Sequence, residues 1–300
     1  MNIIITGGSG FVGTQLSDFL LKGGHRVTAL GRSADQRRIS HVNYKYVSAD
    51  TTRSGKWQTE FDDADAVVNL AGATIFKRWT SSYKKQIYDS RILTTRNVVS
   101  ALPQDKSITL CSASGAGYYG NRGDDLLKED EIPGDDFLAG VSVDWEKEAL
   151  KAGDRGARVA VMRFGVILGK NGGAMAKMIP AFKFFVGGSM GSGNQWFPWM
   201  HLDDLTAAIQ FILEDDRLEG PVNFCAPNPT RYRDMARTLG EVLNRPALMP
   251  APAFMIRLVM GEFGNVLLAS QRTIPDKLSH HGFSFKYPDI KDAIRAVVEE

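Results

Sequence analysis

A β-branched run at residues 3–6 opens into Thr6-Gly7-Gly8-Ser9-Gly10-Phe11-Val12-Gly13, after which apolar residues recur at helical spacing (Phe11, Val12, Leu16, Phe19, Leu20). No other stretch restricts the fold so strongly. Strand, tight glycine turn and helix in that order form the first half of a βαβ unit, whose next strand lies parallel to the first. The glycines meet both the GxGxxG spacing (Gly8, Gly10, Gly13) and the GxxGxxG spacing (Gly7, Gly10, Gly13). Early glycines let backbone approach a pyrophosphate, Gly13 lets the helix pack on its strand, and the helix N-terminus supplies free N–H groups and positive potential. The loop predicts a dinucleotide site.

The alternation continues downstream. Strands are predicted over 26–30, 43–47, 66–71, 107–112 and 159–164, with helices over 81–101, ending before Pro103, and 137–152, closed by Gly153. Strands alternating with helices make an α/β fold: a doubly wound parallel sheet of the Rossmann type, covered on both faces. Beyond Gly165 the pattern loosens. Glycine clusters at Gly172-Gly173, Gly187-Gly188 and Gly191 to Gly193 lead into a stretch rich in Trp and Pro, with helices predicted at 203–213, 232–243 and 288–298 and a short strand at 222–224. This divides the chain into a dinucleotide-binding domain over 1–165 and a smaller, mostly helical substrate or partner lobe over 166–300, some of whose elements return to the sheet.

Charge and cysteine content narrow the partners. With 36 basic and 34 acidic residues the net charge is +2, which gives no whole-chain attraction to nucleic acid or to an anionic membrane. A small-molecule substrate is expected, with no nucleic acid and no membrane. No apolar stretch approaches the roughly 20 residues of a spanning helix, and no leader precedes the first strand, so a cytoplasmic protein is expected. Cys111 and Cys225 are too few for a disulfide framework or a cysteine zinc site and favour a reducing compartment. His201 stands near Asp203 and Asp204 without a second histidine; no metal is expected there, and the aspartates are read as caps of the following helix.

The second strand ends at Arg32, about 20 residues beyond Gly13, where an NAD-selective protein carries a carboxylate for the ribose hydroxyls. Gly31-Arg32-Ser33, with Arg37 and Arg38 nearby, instead offers donors suited to a 2′-phosphate, so the cofactor read is NADP(H). Asp50 either accepts from the adenine amino group or caps its own loop. Asn69-Leu70-Ala71-Gly72 ends the fourth strand with small residues that let backbone near the nicotinamide-side ribose. The candidate cofactor residues are therefore Gly7, Gly10, Phe11, Val12, Gly13, Arg32, Asp50, Leu70, Ala71 and Gly72.

With that loop, Asn69-Leu70-Ala71-Gly72 and Ser112-Ala113-Ser114-Gly115-Ala116-Gly117-Tyr118-Tyr119-Gly120 in order, the chain resembles the extended short-chain dehydrogenase/reductases, relatives of the sugar-nucleotide epimerases and dehydratases. Ser90-Arg91-Ile92 with Thr94-Thr95, Asp144-Trp145-Glu146, Arg163-Phe164-Gly165-Val166-Ile167-Leu168-Gly169 and Trp199-Met200-His201-Leu202-Asp203-Asp204-Leu205 narrow the likeness to the atypical branch known as epimerase family proteins. With Gly220-Pro221-Val222-Asn223, Ser270-Gln271-Arg272 and Gly282-Phe283-Ser284-Phe285, these motifs run through nearly the whole chain. The resemblance implies the Rossmann fold, a nicotinamide cofactor and Arg91 among the residues that bind it.

It also implies reductase chemistry, for which relatives use a Tyr acidified by a Lys four residues later. Aligned on Glu146, the helix carries Leu138 at the tyrosine and Ser142 at the lysine, so this pair is missing; the only literal match, Tyr287 with Lys291, lies near the C-terminus. Ser114 keeps the place of the family's catalytic serine and Tyr118 that of the tyrosine in the relatives' Val-Tyr-Gly segment. These two are the candidate catalytic residues. Ser114 would orient a substrate carbonyl, and Tyr118 or Tyr119 would supply the proton given a cation such as Arg163, Lys84 or His201 beside the phenol. Trp196, Phe197 and Trp199 either line the substrate cleft or pack in the core. The functional expectation is an NADP(H)-binding oxidoreductase or epimerase-like protein acting on a small carbonyl or hydroxyl substrate. The alternative is a catalytically weak or inactive NADPH-binding regulator or redox sensor, since retained glycines with a lost dyad would produce either.

Overall fold

Ile3 and Ile5 turn to one face of the first strand, β1 (Asn2–Thr6), and Ile4 to the other, and all three are buried. That is the signature of a strand covered on both sides. The computed structural model describes residues 1–34, 39–104, 107–170 and 172–299. Within them, β2 (Arg26–Gly31), β3 (Tyr44–Ser48), β4 (Ala66–Asn69) and β5 (Thr109–Gly115) follow, then the short β6 (Leu126–Leu127) and the long β7 (Arg158–Phe164). The later strands are β8 (Val166–Leu168), β9 (Trp196–Phe197), β10 (Trp199–His201), β11 (Gly220–Phe224), β12 (Thr230–Arg231) and β13 (Arg272–Thr273). Seven strands form one parallel sheet in the order β11-β7-β5-β4-β1-β2-β3, and β10–β8, β12–β9 and β13–β6 pair separately.

The helices are α1 (Phe11–Lys22), α2 (Ser81–Ala101), α3 (Phe137–Leu150), α4 (Met175–Lys183), α5 (Leu202–Glu214), α6 (Tyr232–Leu243), α7 (Ala253–Met260), α8 (Phe263–Leu268), α9 (Asp276–His280) and α10 (Ile290–Glu299). Leu16 and Leu20 of α1 and Leu205, Ile209 and Ile212 of α5 cover the sheet face of Ile3, Ile5, Val68 and Met162. Val98 and Val99 of α2 and Ala149 of α3 cover the opposite face, that of Ile4, Val67, Leu110 and Val161. This is the doubly wound Rossmann-type sheet the sequence predicts. A further core, built on Trp199, Tyr232, Met235, Leu239, Ile294 and Val297, holds the helical C-terminal part together.

Boundaries differ where tertiary contacts intervene. The strand predicted over 66–71 stops at Asn69, because the Ala71 N–H turns to donate to Thr6 Oγ1 (3.3 Å). The one predicted over 107–112 continues to Gly115, which puts Ser114 beside Arg163 on the neighbouring strand. The short strand predicted at 222–224 is β11, an edge of the main sheet. Helices α4, α7, α8 and α9 were not predicted; they are short and set among glycines and prolines. Among the described residues no helix is long and apolar enough to cross a membrane.

Candidate functional site

The glycine loop closes on itself. Gly7 holds φ at +69°, the Gly10 N–H donates to the Gly7 carbonyl (2.9 Å), and the Gly8 N–H donates to the Leu30 carbonyl (3.0 Å). A Cβ on Gly13 would stand 2.4 Å from the Gly7 carbonyl oxygen and 2.7 Å from Gly8 Cα, and one on Gly7 would meet the Ala71 nitrogen at 3.0 Å. Helix α1 starts from this loop with no side-chain cap and no acidic residue in its first turn. Its leading N–H groups and the positive end of its dipole therefore face outward, ready for an anion. The Phe11 ring at that end is wedged against Gly169, Gly172 and Gly173, where added Cβ atoms would approach to between 2.0 and 3.1 Å.

A buried polar ladder fixes the strand ends behind the loop. Thr6 Oγ1 donates to Asn69 Oδ1 (2.6 Å), and Asn69 Nδ2 donates to Thr95 Oγ1 (2.8 Å) and Ser112 Oγ (3.2 Å). Trp145 Nε1 also donates to Thr95 (2.8 Å), tying α2 and α3 to β1, β4 and β5. Sequence reading placed each member in a motif but did not join them, because the hydrogen bonds span 26 to 63 residues and form only when the strands and helices pack.

Arg32 follows β2 directly and is exposed. Asp50 caps its own loop, accepting from the Thr52 N–H (3.2 Å) and hydroxyl (2.7 Å); that hydroxyl chiefly holds its carboxyl below the usual range, with Arg53 and Arg32 adding to the effect. Arg37 and Arg38 lie outside the described residues. Arg91 donates to the carbonyls of Ala73 (3.1 Å) and Ile87 (3.0 Å) and packs against Gly72 and the Trp145 ring. Burial pushes its guanidinium down to about 10, and no carboxylate among the described residues pairs with it.

From this loop a cavity of about 410 Å3 runs across the carboxyl ends of the strands. Its wall brings together Phe11, Val12, Leu70, Gly72, Arg91 and Ser114 from the sequence candidates, and adds Leu138, Val141, Ser142 and Trp145 of α3. Trp196 and Phe197 line it too, whereas Trp199 belongs to the core. Among the described residues Arg91 is the only charged group on the wall.

Ser114 is not a free hydroxyl. Its Oγ donates to Glu146 Oε1 (2.7 Å), and the same carboxylate receives Arg163 through Nε (2.9 Å) and Nη2 (2.8 Å). Glu146 and Arg163 are 6% and 2% exposed, a fully desolvated ion pair. Arg163 Nη1 goes on to donate to the Tyr119 oxygen (2.9 Å), whose hydroxyl donates to Asn223 Oδ1 (2.7 Å). Because its one proton is given to Glu146, Ser114 turns lone pairs toward the cavity and accepts there rather than donating. The arrangement differs from the expected carbonyl donor. Glu146 served in the sequence only to align the helix; the spacing of Leu138, Ser142 and Glu146 along one helix face was the available signal.

Neither tyrosine stands as expected. The Arg163 guanidinium lies over the Tyr118 ring, 3.5 Å from its centroid, rather than at the phenol oxygen, and Tyr118 is half-buried outside the cavity wall. Burial pushes the Tyr119 phenol up, away from proton exchange at neutral pH. Lys84 pairs with Glu262 (2.8 Å).

The helix-capping assignment at α5 also needs correction. The Asp203 N–H donates to Nδ1 of His201, which is the capping residue, while Asp204 accepts from the N–H groups of Lys286 and Tyr287. A neutral imidazole nitrogen serves as acceptor where an aspartate was expected. Burial pushes His201 down to about 4, with Asp203 opposing and Lys286 reinforcing the shift. The folded value lies below the unfolded one, near 6.5, so the unfolded chain takes up the proton first as pH falls. This contribution to stability is full above about pH 6.5 and drains between there and about 4. Urea unfolding at pH 7 and pH 5 should show the loss in the parent and a smaller one in His201→Asn, which keeps an acceptor that does not titrate. Equal losses in both would remove His201 as the source.

Comparison with known proteins covers the full chain. Residues 3–224 match the model of the NAD dependent epimerase/dehydratase family, and residues 251–297 match one described only as a domain of unknown function, DUF1731. The Arabidopsis thaliana protein "Epimerase family protein SDR39U1 homolog, chloroplastic" is 39% identical, covering 100% of this chain and 87% of its own length. "Epimerase family protein YfhF" of Bacillus subtilis is 36% identical over 100% of this chain and 99% of its own length. A crystal structure of human epimerase family protein SDR39U1 (isoform 2) with NADPH superposes with a TM-score of 0.88 at 31% identity, covering 100% of this chain and 99% of that one.

Proposed function

Because the chain belongs to the NAD dependent epimerase/dehydratase family, we propose that it binds NADP(H) and acts as an oxidoreductase or epimerase-like protein on a small carbonyl or hydroxyl substrate. One observation carries the reading: a glycine cradle that a single Cβ would fill, an uncapped helix N-terminus beyond it, and a cavity that begins at both. The human relative that carries NADPH supports the choice of cofactor.

Gly7, Gly10 and Gly13 leave room for the pyrophosphate, and the N–H groups at Phe11 and Val12 meet its charge. Arg32 takes the 2′-phosphate, and Arg91, buried without a carboxylate, supplies a cation beside Gly72. Leu70, Ala71 and Gly72 let backbone approach the nicotinamide ribose, and the bound nicotinamide supplies hydride chemistry. Ser114 accepts from a substrate hydroxyl, and the Glu146–Arg163 pair fixes the direction in which the Ser114 proton points. Asp50, committed to its own loop, is a weaker contact with adenine.

The regulator reading keeps one observation in its favour. Leu138 and Ser142, at the places of the relatives' proton-transfer pair, face the cavity with an isobutyl group and a hydroxyl. A protein that binds NADPH yet turns over no carbonyl or hydroxyl compound would favour this alternative.

Calorimetric titration with NADPH, NADP, NADH and NAD tests the cofactor assignment. A phosphate-specific hydrogen bond to Arg32 contributes about 1.5–3 kcal/mol, so Arg32→Ala should cut the preference for NADPH over NADH roughly ten- to a hundredfold. An unchanged ratio would remove Arg32 from the site, and failure of all four nucleotides to bind would remove the function.

A further inference from the structure

Resting on the NADP(H) reading, we infer that the second ligand of this cavity is an uncharged, largely apolar ring compound carrying one hydroxyl or carbonyl group, rather than a nucleotide sugar. The wall away from the glycine loop is built from Leu138, Val141, Trp145, Phe197, Phe263 and Val266. The single cation, Arg91, sits at the cofactor end beside Gly72, and its Nη1 is held by two backbone carbonyls. A sugar nucleotide would bring a diphosphate to a wall whose one charged side chain among the described residues is Arg91; Arg231 and Arg272 sit over the Trp196 ring, 4.2 and 4.8 Å from its centroid, instead of lining the wall, and Arg231 is already paired with Asp124. An ion buried without partners is strongly disfavoured. An apolar ring gains from the same surface by leaving water.

Two hydroxyls decide what the ring carries. Ser142 is 6% exposed, lies on the cavity wall and has no hydrogen-bond partner among the described residues. Its hydroxyl is open to the cavity rather than sealed in the core. Ser114, its proton committed to Glu146, offers only lone pairs. Ser142 and Glu146 are four residues apart on α3, so Ser142 shares a helix face with the carboxylate that holds Ser114, and both serines line the cavity along with Gln195 and Gln271. An alcohol donates to Ser114 and accepts from Ser142; a ketone accepts from Ser142 alone. An ionised group on the ligand would find no charged partner on the wall beyond Arg91.

The probe is 2-naphthol, followed by its fluorescence on titration with protein saturated with NADP, against UDP-glucose and UDP-glucuronate by calorimetry under the same conditions. Expected are saturable 2-naphthol binding, no heat from either sugar nucleotide at millimolar concentration, and roughly fivefold to tenfold weaker 2-naphthol binding in Ser142→Ala with NADPH affinity unchanged. A sugar nucleotide that binds more tightly than 2-naphthol overturns the inference. So does absence of 2-naphthol binding, or binding that Ser142→Ala leaves untouched. The two readings fail separately: protein that takes up no dinucleotide but seats 2-naphthol through Ser142 loses its cofactor and keeps this cavity assignment.

Discussion

A Gly13→Val protein is expected to bind NADPH more than a hundredfold more weakly than the parent. The reason lies in backbone, not in side chains. The new Cβ would stand 2.4 Å from the Gly7 carbonyl oxygen and 2.7 Å from Gly8 Cα, distances no relaxed structure tolerates, and neither atom can rotate out of the way. The loop has to shift as a unit, which breaks the contact from the Gly10 N–H to Gly7 and moves the approach of Gly7 to Ala71. Overpacking of this kind costs about 1–3 kcal/mol of stability, so a fall in the urea midpoint should accompany the lost affinity. Calorimetry on folded variant protein separates the two effects. Affinity within threefold of the parent would show that the pyrophosphate does not rest on this turn.

The other large effect concerns the ion pair behind Ser114. Arg163→Met leaves the Glu146 carboxylate buried with Ser114 as its remaining donor, and breaking a buried pair by removing one partner costs about 3–5 kcal/mol. Tyr119 loses a donor at the same stroke. The double variant Arg163→Met with Glu146→Leu should recover most of the loss, because two apolar side chains leave no uncompensated charge. Chemical unfolding of the parent, both single variants and the double variant closes the cycle. A cost below about 1 kcal/mol for Arg163→Met would mean that water reaches Glu146 and that the pair does not fix the Ser114 hydroxyl.

What the sequence made legible follows from how far each feature reaches along the chain. The bounds of α2 at Ser81–Ala101 and α6 at Tyr232–Leu243 agree with the sequence reading, because local punctuation such as Pro103 decides them. The glycine loop was equally legible: its constraint lies within a few bonds of Gly7, Gly10 and Gly13. The role of Ser114 was not, because its partner Glu146 is 32 residues away and reaches it only when α3 docks on β5. Choosing between Tyr118 and Tyr119 depends on the single 3-10 turn over Ala116–Tyr119, which buries the second ring and leaves the first under Arg163. At His201, residue type misled. Aspartate is the commoner cap, but burial keeps this imidazole neutral and able to accept.

The covering of α1 by α5 bears on how the protein is made. Leu16 and Leu20 leave the ribosome well before Leu205 and Ile209, which cover the same sheet face. At roughly 5–20 residues per second, the emerging glycine-loop helix waits about ten to forty seconds for that cover. Throughout this interval the nascent sheet has one bare face and no β11 along its edge. Chains truncated before α5 should therefore be chaperone clients or aggregates, and emergence of α5 and β11, rather than completion of the nucleotide loop, is the event that commits the sheet to its native state.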